Sequence, residues 1–471
     1  MWSPCGAAQV SARRCAFLRC PRAVQQARMH SNPKGSMLKN MMSALIGRPT
    51  LKERTVVLFG HFGHGNFGNE STLQAMLYHL RRLLPEAQFN CVCTDPSAVA
   101  MTHNINALPM NRTLYGNCKF TNGLAILIRH ISVGVATELC RWADAFKTLK
   151  HAHVLIIPGT GLLTDAFGLR FWGPYTLFRW SLVAKICGCK LMFVSVGAGP
   201  IYSRTGRWLV RCALGLANFR SYRDDATREY LKSIGCTAVS DRVYPDLVFS
   251  IAEQMRGTSG KSSGRRPVVG LGLMSYSARL SGRAQDGSTY VTYLEQLQLF
   301  AKWLLTHDYD IRLLIGELGD SAVTREFKAL INARWGAYDK SRIMDEPAQS
   351  SDAMLAQLAQ TDAVVATRFH NVVWALALNK PVISISFHQK CRSLMQDMGL
   401  LDYLQDIEQL DASVLIQQFC RMQQNADFIT QLLQKRVAAC QHALDEQYAI
   451  LLRKIWPAKA RGDLPVSAIK V

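Results

Sequence analysis

The sequence predicts an α/β fold of two Rossmann-like domains that face a cleft, each built on a mostly parallel sheet. Short apolar runs typical of β-strands alternate with amphipathic helical patterns from Arg54 onwards. The segment MRGTSGKSSGRRP, rich in Gly, Ser and basic residues, then interrupts the alternation with the composition of a linker. The alternation restarts after it. Repeated strand–helix units imply parallel strands covered by helices on both faces.

These observations set the expected domain boundaries. We expect an N-terminal domain over residues 51–255, a linker over 256–267 and a C-terminal domain over 268–456 that includes the terminal helices. Residues 457–471 are expected to form a flexible tail. Residues 1–50 are Arg-rich and acid-free, which is typical of a transit peptide, but later methionines favour an over-long translated start. We expect this extension to be disordered or non-native and exclude it from the fold.

In the N-terminal half, each predicted strand or helix follows from a local sequence pattern. TVVLFG is an apolar strand, and NESTLQAMLYHLRRLL is a helix with an acid in its first turn and arginines near its end, as the helix dipole favours. QFNCVCTD, HVLIIPG and KLMFVSVG are predicted strands, with a helix around TLFRWSLVAKICG. FRSYRD is a short strand, and DATREYLKSIG is a helix closed by glycine.

The C-terminal half repeats this pattern. PVVGLGLMS, DIRLLIG, DAVVAT and PVISISF are predicted strands. YLEQLQLFAKWLLTH, SSDAMLAQLAQ and NVVWALALN are predicted helices between them. Long helices are expected from about Ala412 to Ile455.

The charge of the chain limits the classes of partner. The net charge is +21, and ten Lys/Arg against one acid before Thr55 account for +9 of it. The remainder is spread out without aromatic–basic interleaving, so we expect no nucleic-acid partner. A solvated basic surface is one interpretation, and attraction to anionic substrates or to an anionic membrane face is the other.

Two further features bear on location and on metals. No run approaches the roughly 18 apolar residues that a membrane span needs, so we expect a cytoplasmic protein, with the inner face of the cell membrane as an alternative location. The C-x-C pairs Cys91/Cys93 and Cys187/Cys189 lie on expected strands and lack the C-x-x-C spacing of zinc or redox sites. We interpret them as reduced, mostly buried thiols and predict no metal site.

Ligands of such sheets bind at the carboxyl ends of strands, so the loops that follow strands are where function is expected. Four loops stand out: GHFGHGNFGNE, PGTGLLTD, SVGAGP and TRFHN. In TRFHN, an extended segment would direct Arg368 and His370 the same way, and Asn371 would open a helix whose free amides favour an anion. A guanidinium and an imidazole at a helix N-terminus indicate an anionic ligand.

Arg223 is a second candidate. In RSYRDDATREYL it lies where a short strand meets a helix, with Asp224 or Asp225 as the expected N-cap. An ion pair with those aspartates is the alternative interpretation. Two arginines from different domains that face one cleft would suit a small ligand with both a carboxylate and a phosphate.

A family resemblance rests on six motifs in this order: GHFGHGNFGNE, GTGLLTD, SVGAGPI, SYRDDATREYLKSIG, YPDLVFSI and TRFHNVVWALALNKPVISISF. Together they resemble the polysaccharide pyruvyl transferases, over roughly Thr55 to Leu401. SYRDDAT and the block from TRFHN to SISF are the most specific parts. This sequence departs from the family pattern where Asn69 replaces an aspartate before Glu70, and where Gly-Thr-Gly replaces three glycines.

The resemblance implies a GT-B-like fold and a defined activity. Such enzymes move an enolpyruvyl-derived group from phosphoenolpyruvate to two hydroxyls of one sugar, forming a pyruvate ketal and releasing phosphate, as in exopolysaccharide biosynthesis. The implied roles are phosphoenolpyruvate binding by Arg223 and Arg368 and acid/base catalysis by His370.

Further residues of the matching motifs are implied to line the acceptor side or the cleft. They are Asn66, Glu70, Gly159, Gly161, Asp165, Gly197 and Asp246. His61 and His64 are interpreted as loop side chains with backbone partners. The resemblance implies no metal or redox cofactor, and partners limited to phosphoenolpyruvate and a sugar acceptor, including a lipid-linked oligosaccharide at the membrane.

Three alternatives remain at this stage. A nucleotide-sugar glycosyltransferase of GT-B architecture would show much of the same pattern, because fold does not settle function. A dinucleotide oxidoreductase would use the Gly63-x-Gly65-x-x-Gly68 fingerprint, although Asp95, its candidate ribose ligand, lies late in the sequence. A non-catalytic glycan-binding relative is the third.

Overall fold

The structure is a computed structural model. It describes residues 55–112, 123–165, 172–236, 241–255, 265–276, 287–335 and 338–455. The N-terminal extension over 1–50, the tail over 457–471 and most of the predicted linker lie outside the described residues. The predicted domain boundaries stay predictions.

The N-terminal half forms a parallel sheet with the strand order β3-β2-β1-β4-β5-β6-β7. Its strands are β1 (Thr55–Phe59), β2 (Gln88–Cys93), β3 (Asn106–Pro109), β4 (Val154–Pro158), β5 (Lys190–Val196), β6 (Phe219–Tyr222) and β7 (Arg242–Val243). Its helices are α1 (Phe67–Leu83), α2 (Pro96–His103), α3 (Gly123–Leu149), α4 (Trp172–Ile186), α5 (Arg204–Gly215), α6 (Asp225–Ser233) and α7 (Ala252–Met255). Strands such as β4 are buried on both faces, which explains their continuous apolar sequence.

The C-terminal half repeats this plan with the strand order β10-β9-β8-β11-β12-β13, again parallel. Its strands are β8 (Val268–Gly272), β9 (Asp310–Leu314), β10 (Ile343–Met344), β11 (Ala363–Ala366), β12 (Val382–Ser386) and β13 (Leu404–Asp406). Its helices are α8 (Gly287–Thr306), α9 (Ser321–Arg334), α10 (Ser351–Ala359), α11 (Phe369–Ala377), α12 (Gln389–Asp397), α13 (Ala412–Gln424) and α14 (Ala426–Ile455).

Both sheets reverse their strand order at one point, between β1 and β4 and between β8 and β11. The crevice at such a reversal is where open α/β sheets bind ligands, because the flanking connections leave the sheet in opposite directions. The predicted α/β fold of two parallel-sheet domains is therefore confirmed. Every strand predicted from the sequence is present, but α2, α3, α5, α7, α9 and α12 are helices that it did not predict.

The last helix, α14, returns to the N-terminal sheet and packs against it. Gln447 is fully buried there, and its Nε2 donates to Ser221 Oγ at 2.7 Å and to Ser195 Oγ at 3.0 Å. The neighbouring Tyr448 ring stacks on His79 of α1 with ring centroids 4.2 Å apart. The helix therefore joins the C-terminal half of the chain to the sheet that carries the first three loops.

The predicted cysteine and membrane features can be compared with the structure. Cys91, Cys93 and Cys189 are buried and Cys187 is half-buried, and none of the four forms a disulfide within the described residues. Within the described ranges, no helix is both long enough and apolar enough to cross a membrane.

Replacing Gln447 with Ala should destabilise the protein by about 2 kcal/mol, because two buried serine hydroxyls lose a partner. Urea unfolding followed by circular dichroism measures this change. Gln434→Ala, on an exposed turn of α14, is the matched control and should change little. Equal stability of the two variants would contradict this role for Gln447.

Candidate active site

A cavity of about 760 Å³ lies between the two sheets and is lined by residues of both halves. Its walls come from loops that follow strands, as the carboxyl-end rule predicts. His61 and Asn66 follow β1, residues 159–164 follow β4, and Arg223 follows β6. On the other side, the lining residues are Ser275, Gly316, Glu317, Gly319, Arg368, Phe369, His370, Phe387 and Lys390.

Helix α11 begins earlier than the sequence predicted. Arg368 is its N-cap, with φ −67° and ψ 127°, and Phe369 is its first residue. The expectation of an extended segment as far as Asn371 was therefore wrong, because the chain turns into the helix immediately after Arg368. His370 lies in the first helical turn, and both Arg368 and His370 still line the cavity.

The Arg368 side chain is held by two carboxylates. Its Nε donates to Asp320 Oδ2 at 2.7 Å, and its Nη2 donates to Asp320 Oδ1 and Glu317 Oε1, both at 2.6 Å. Asp320 is fully buried and keeps this bidentate geometry. Two carboxylates offset the Arg368 charge, so any contact of Arg368 with an anionic ligand is through Nη1.

The imidazole of His370 packs against the start of α1. A Cβ atom at Gly68 would lie 1.8 Å from His370 Nδ1, so only glycine admits the ring at this point. His370 Nε2 is buried without a hydrogen-bond partner, and Asp246 Oδ2 lies 3.8 Å away, beyond hydrogen-bond distance. Burial, and then the positive charges of Arg223, Lys390 and Arg368, hold the His370 pKa well below its usual value.

Arg223 lies close to Phe369 and Asp246, next to His370. Its guanidinium carbon is 4.6 Å from the Phe369 ring centroid, and its Nη1 is 3.5 Å from Asp246 Oδ2. Gly197 makes room for it, because a Cβ there would lie 2.7 Å from Arg223 Nη2. The Nε of Arg223 is buried without a hydrogen-bond partner but forms an ion pair with Asp224 Oδ2 at 3.7 Å, so the alternative interpretation of an ion pair with a following aspartate is also met. Asp224 is the N-cap of α6, as one of the two predicted options.

Lys390 completes the cationic group and was missed by the sequence analysis. It is the second residue of α12, and its Nζ lies 5.1 Å and 5.2 Å from the ring centroids of Phe369 and Phe387. Its pKa is lowered to about 8, mainly by burial and also by the charges of Arg223 and Arg368, while Cys391 and Asp224 oppose the shift. Among the described residues no carboxylate forms an ion pair with Lys390. Lys390 follows the strand PVISIS, so the carboxyl-end rule could have found it.

Two predicted residues of the first loop have different positions. Asn66 lines the cavity, caps α1 through a bond from Asn69 N, and donates to Glu317 Oε2 at 3.0 Å across the cleft. Glu70 is not among the lining residues. Its Oε1 accepts a bond from Gly63 N at 2.7 Å beneath the loop, and burial raises its pKa to about 7.

Of the remaining predicted residues, some line the cavity and others do not. Gly159 and Gly161 line the cavity, whereas Gly197, Asp165 and Asp246 lie behind its wall. Asp165 accepts bonds from Tyr202 N, Ser203 N and Ser203 Oγ at 2.6 to 2.9 Å, so its carboxylate is occupied in shaping the start of α5. Asp246 Oδ1 caps the 3₁₀ turn Leu247–Ile251 through Val248 N.

One of the two histidines of the first loop differs from its interpretation. His61 lines the cavity, and its Nδ1 lies 3.0 Å from Thr94 Oγ1, a side-chain partner rather than a backbone one. His64 is exposed. Within the described ranges, no group of three or more His, Cys, Asp or Glu side chains is arranged to hold a metal ion.

Two parallel-sheet domains with a polar cleft define the GT-B class of enzyme fold, and solved structures of that class resemble this one. They include a UDP-GlcNAc 2-epimerase from Neisseria meningitidis bound to UDP-GlcNAc, with a TM-score of 0.54 and 10% identity over 85% of this chain and 99% of that one. Another is an α,α-trehalose 6-phosphate synthase from Burkholderia multivorans, with a TM-score of 0.52 and 12% identity over 85% and 98%. At these identities the likeness establishes the fold alone.

The sequence itself identifies the family. Residues 66–389 match the family described as polysaccharide pyruvyl transferase, which is well over half of the chain. The chain therefore belongs to this family and is a transferase. No curated protein matches the sequence.

The neighbouring cations should hold His370 neutral in the free protein at a pH where an ordinary histidine is protonated. Removing one cation, in Arg223→Gln, should raise the His370 pKa, because repulsion of the imidazolium falls. NMR titration of ¹⁵N-histidine-labelled protein measures the His370 pKa in the wild type and in Arg223→Gln. The His370 signal is the one that is missing from the spectrum of His370→Asn.

Arg325→Gln, which removes an exposed cation on α9, is the control and should leave the His370 titration unchanged. A wild-type His370 that titrates near its usual value would contradict the electrostatic description of the site.

Proposed function

We propose that the protein transfers an enolpyruvyl-derived group from phosphoenolpyruvate to two hydroxyls of one sugar, giving a pyruvate ketal and phosphate. The observation that carries this proposal is the group of Arg223, Lys390 and Arg368 around the half-buried His370 in one cavity. Phosphoenolpyruvate carries about three negative charges, from its carboxylate and its phosphate monoester. Arg223 and Lys390 supply positive charge for them, and Arg368 contributes through Nη1.

His370 acts as the general acid in this proposal. Binding of the anionic donor offsets the nearby positive charges, so the imidazole gains a proton that the free site disfavours. Protonation of the terminal methylene of the donor makes its central carbon electrophilic, and the first sugar hydroxyl attacks that carbon. The bond between the central carbon and the phosphate oxygen then breaks, and the second hydroxyl attacks the same carbon and closes the ring. One hydroxyl proton leaves with phosphate, and the other returns to His370. No metal or redox cofactor enters these steps.

The acceptor is a sugar of a polysaccharide or of its lipid-linked precursor. The cavity lining also carries amide side chains that suit sugar hydroxyls, including Asn66, Asn69 and Asn111. Trp172 adds an aromatic face of the kind that packs on sugar rings. A lipid-linked acceptor would place the enzyme at the inner face of the cell membrane, in exopolysaccharide biosynthesis.

Phosphate release from phosphoenolpyruvate in the presence of nitrophenyl sugars and lipid-linked oligosaccharides tests the proposal, with mass spectrometry of the product. His370→Asn should lower kcat by about 10² to 10⁴, the usual contribution of a general acid. Lys390→Met should raise KM for phosphoenolpyruvate by about 10- to 100-fold, because a charge-assisted contact is lost. Lys390→Arg should retain most of the donor affinity.

The controls separate folding from function. Lys435→Met removes an exposed lysine on α14 and should leave both constants unchanged. Arg368→Ala is a poor test, because it leaves the buried Asp320 carboxylate without its partner. Full activity in His370→Asn would show that another group is the acid, and consumption of a nucleotide sugar without phosphate release would show that the protein is a glycosyltransferase.

A further inference from the structure

Helix α5 carries an exposed row of three arginines and a tryptophan. Arg204, Arg207, Trp208 and Arg211 have the spacing i, i+3, i+4 and i+7, which places them on one face of an α-helix. All four are exposed, and Trp208 retains 56% of its accessible surface. The opposite face of α5 packs into the N-terminal core. We call these four residues the α5 stripe.

The positive charges of the stripe have no local compensation. No acidic residue occurs in the sequence between Asp165 and Asp224. In the part of the chain that the structure describes, none of the three arginines forms an ion pair with a carboxylate. Two of them lie in the first turn of α5, which contains no acid, although the helix dipole disfavours cations there. Arg207 Nε donates to Ile201 O at 2.8 Å, so this arginine also holds the turn before the helix, whereas the helix dipole gives the charge of Arg204 no stabilising role.

Exposed apolar groups accompany the arginines. Trp208 contacts Phe178 of α4, with ring centroids 6.0 Å apart. Ile186, two turns further along the same face of α4, is 60% exposed, and Tyr202, just before α5, is 44% exposed. Tryptophan, tyrosine and arginine together are typical of surfaces that lie in the head-group region of a membrane. The arginines and aromatic rings would also suit a single-stranded nucleic acid, because bases stack on such rings, but the exposed aliphatic Ile186 favours a membrane.

One end of the stripe adjoins the cavity. Thr164 lines the cavity, and its Oγ1 donates to Pro200 O at 2.9 Å. The next residue, Asp165, accepts a bond from Tyr202 N at 2.7 Å. The loop after β4 therefore connects the cavity wall directly to the beginning of the stripe.

We propose that the α5 stripe, together with Tyr202, docks the protein on an anionic lipid surface with the rim of the cavity beside the bilayer. The arginines bind lipid phosphates, and Trp208 and Tyr202 enter the head-group layer. The use of this surface rests on the proposed function, because it would bring the cavity to the sugar of a lipid-linked acceptor. The docking itself is independent of catalysis and can be measured without substrate.

Flotation of the full-length chain with vesicles tests the proposal, using phosphatidylcholine alone or with about 30% phosphatidylglycerol. The wild type should bind the anionic vesicles only, and less at high salt, because the Debye length shortens. Arg204→Glu/Arg207→Glu/Arg211→Glu should weaken binding by about ten-fold or more, since each arginine near the surface contributes. Trp208→Ala should weaken it to a smaller degree.

The matched control is Arg325→Glu/Arg421→Glu/Lys435→Glu, which makes the same charge change at exposed positions on α9, α13 and α14. It should bind like the wild type, and residues 1–50 are common to every variant. Equal loss of vesicle binding in both triple variants would overturn the proposal, as would binding of the wild type to neutral vesicles alone. So would binding of a duplex oligonucleotide through the stripe without vesicle binding.

Phosphate release from phosphoenolpyruvate with a soluble sugar acceptor distinguishes this proposal from the function on which it rests. The stripe variants should retain that activity, because none of their substitutions lines the cavity. Vesicle binding without any such activity in the wild type would leave docking supported and remove the proposed function.

Discussion

The site depends on one electrostatic constraint, the gathering of cations around the half-buried imidazole of His370. Lys390 and Arg223 lie close to His370, and the imidazole cannot move away because it packs against Gly68 of the other domain. Carboxylates pair with both arginines, Asp320 and Glu317 with Arg368 and Asp246 and Asp224 with Arg223. Among the described residues none pairs with Lys390, so the charge of Lys390 is not offset by an ion pair. A bound anion would relieve the repulsion, so the free protein is already arranged for an anionic ligand.

The loop after β1 has a different use from the one its glycine spacing suggests. The third glycine of the fingerprint, Gly68, admits the His370 ring, and Asn66 bonds to Glu317 across the cleft. Leu318 N also donates to Gly65 O at 2.9 Å, so backbone joins the two domains at this loop. The loop therefore closes one wall of the cavity.

The sequence predicted the strands well because they are continuous apolar runs between helical patterns, and the carboxyl-end rule located the cavity. The sequence did not predict the features that depend on contacts between residues distant in the chain. The early start of α11 accompanies the binding of Arg368 to Asp320, which lies 48 residues away in the chain. Asp165 has the motif position of a cleft residue, yet the backbone amides of Tyr202 and Ser203 occupy its carboxylate. Such long-range partners leave no local pattern.

The most direct test of the account is the proton balance of donor binding. Calorimetry of phosphoenolpyruvate binding at about pH 7, in buffers with different ionisation enthalpies, measures proton uptake. In the free protein the His370 pKa is lowered, and the bound donor raises it, so the wild type should take up protons on binding. His370→Asn retains any uptake by Lys390 and should show clearly less. Equal uptake by the wild type and His370→Asn would contradict the claim that donor charge protonates His370.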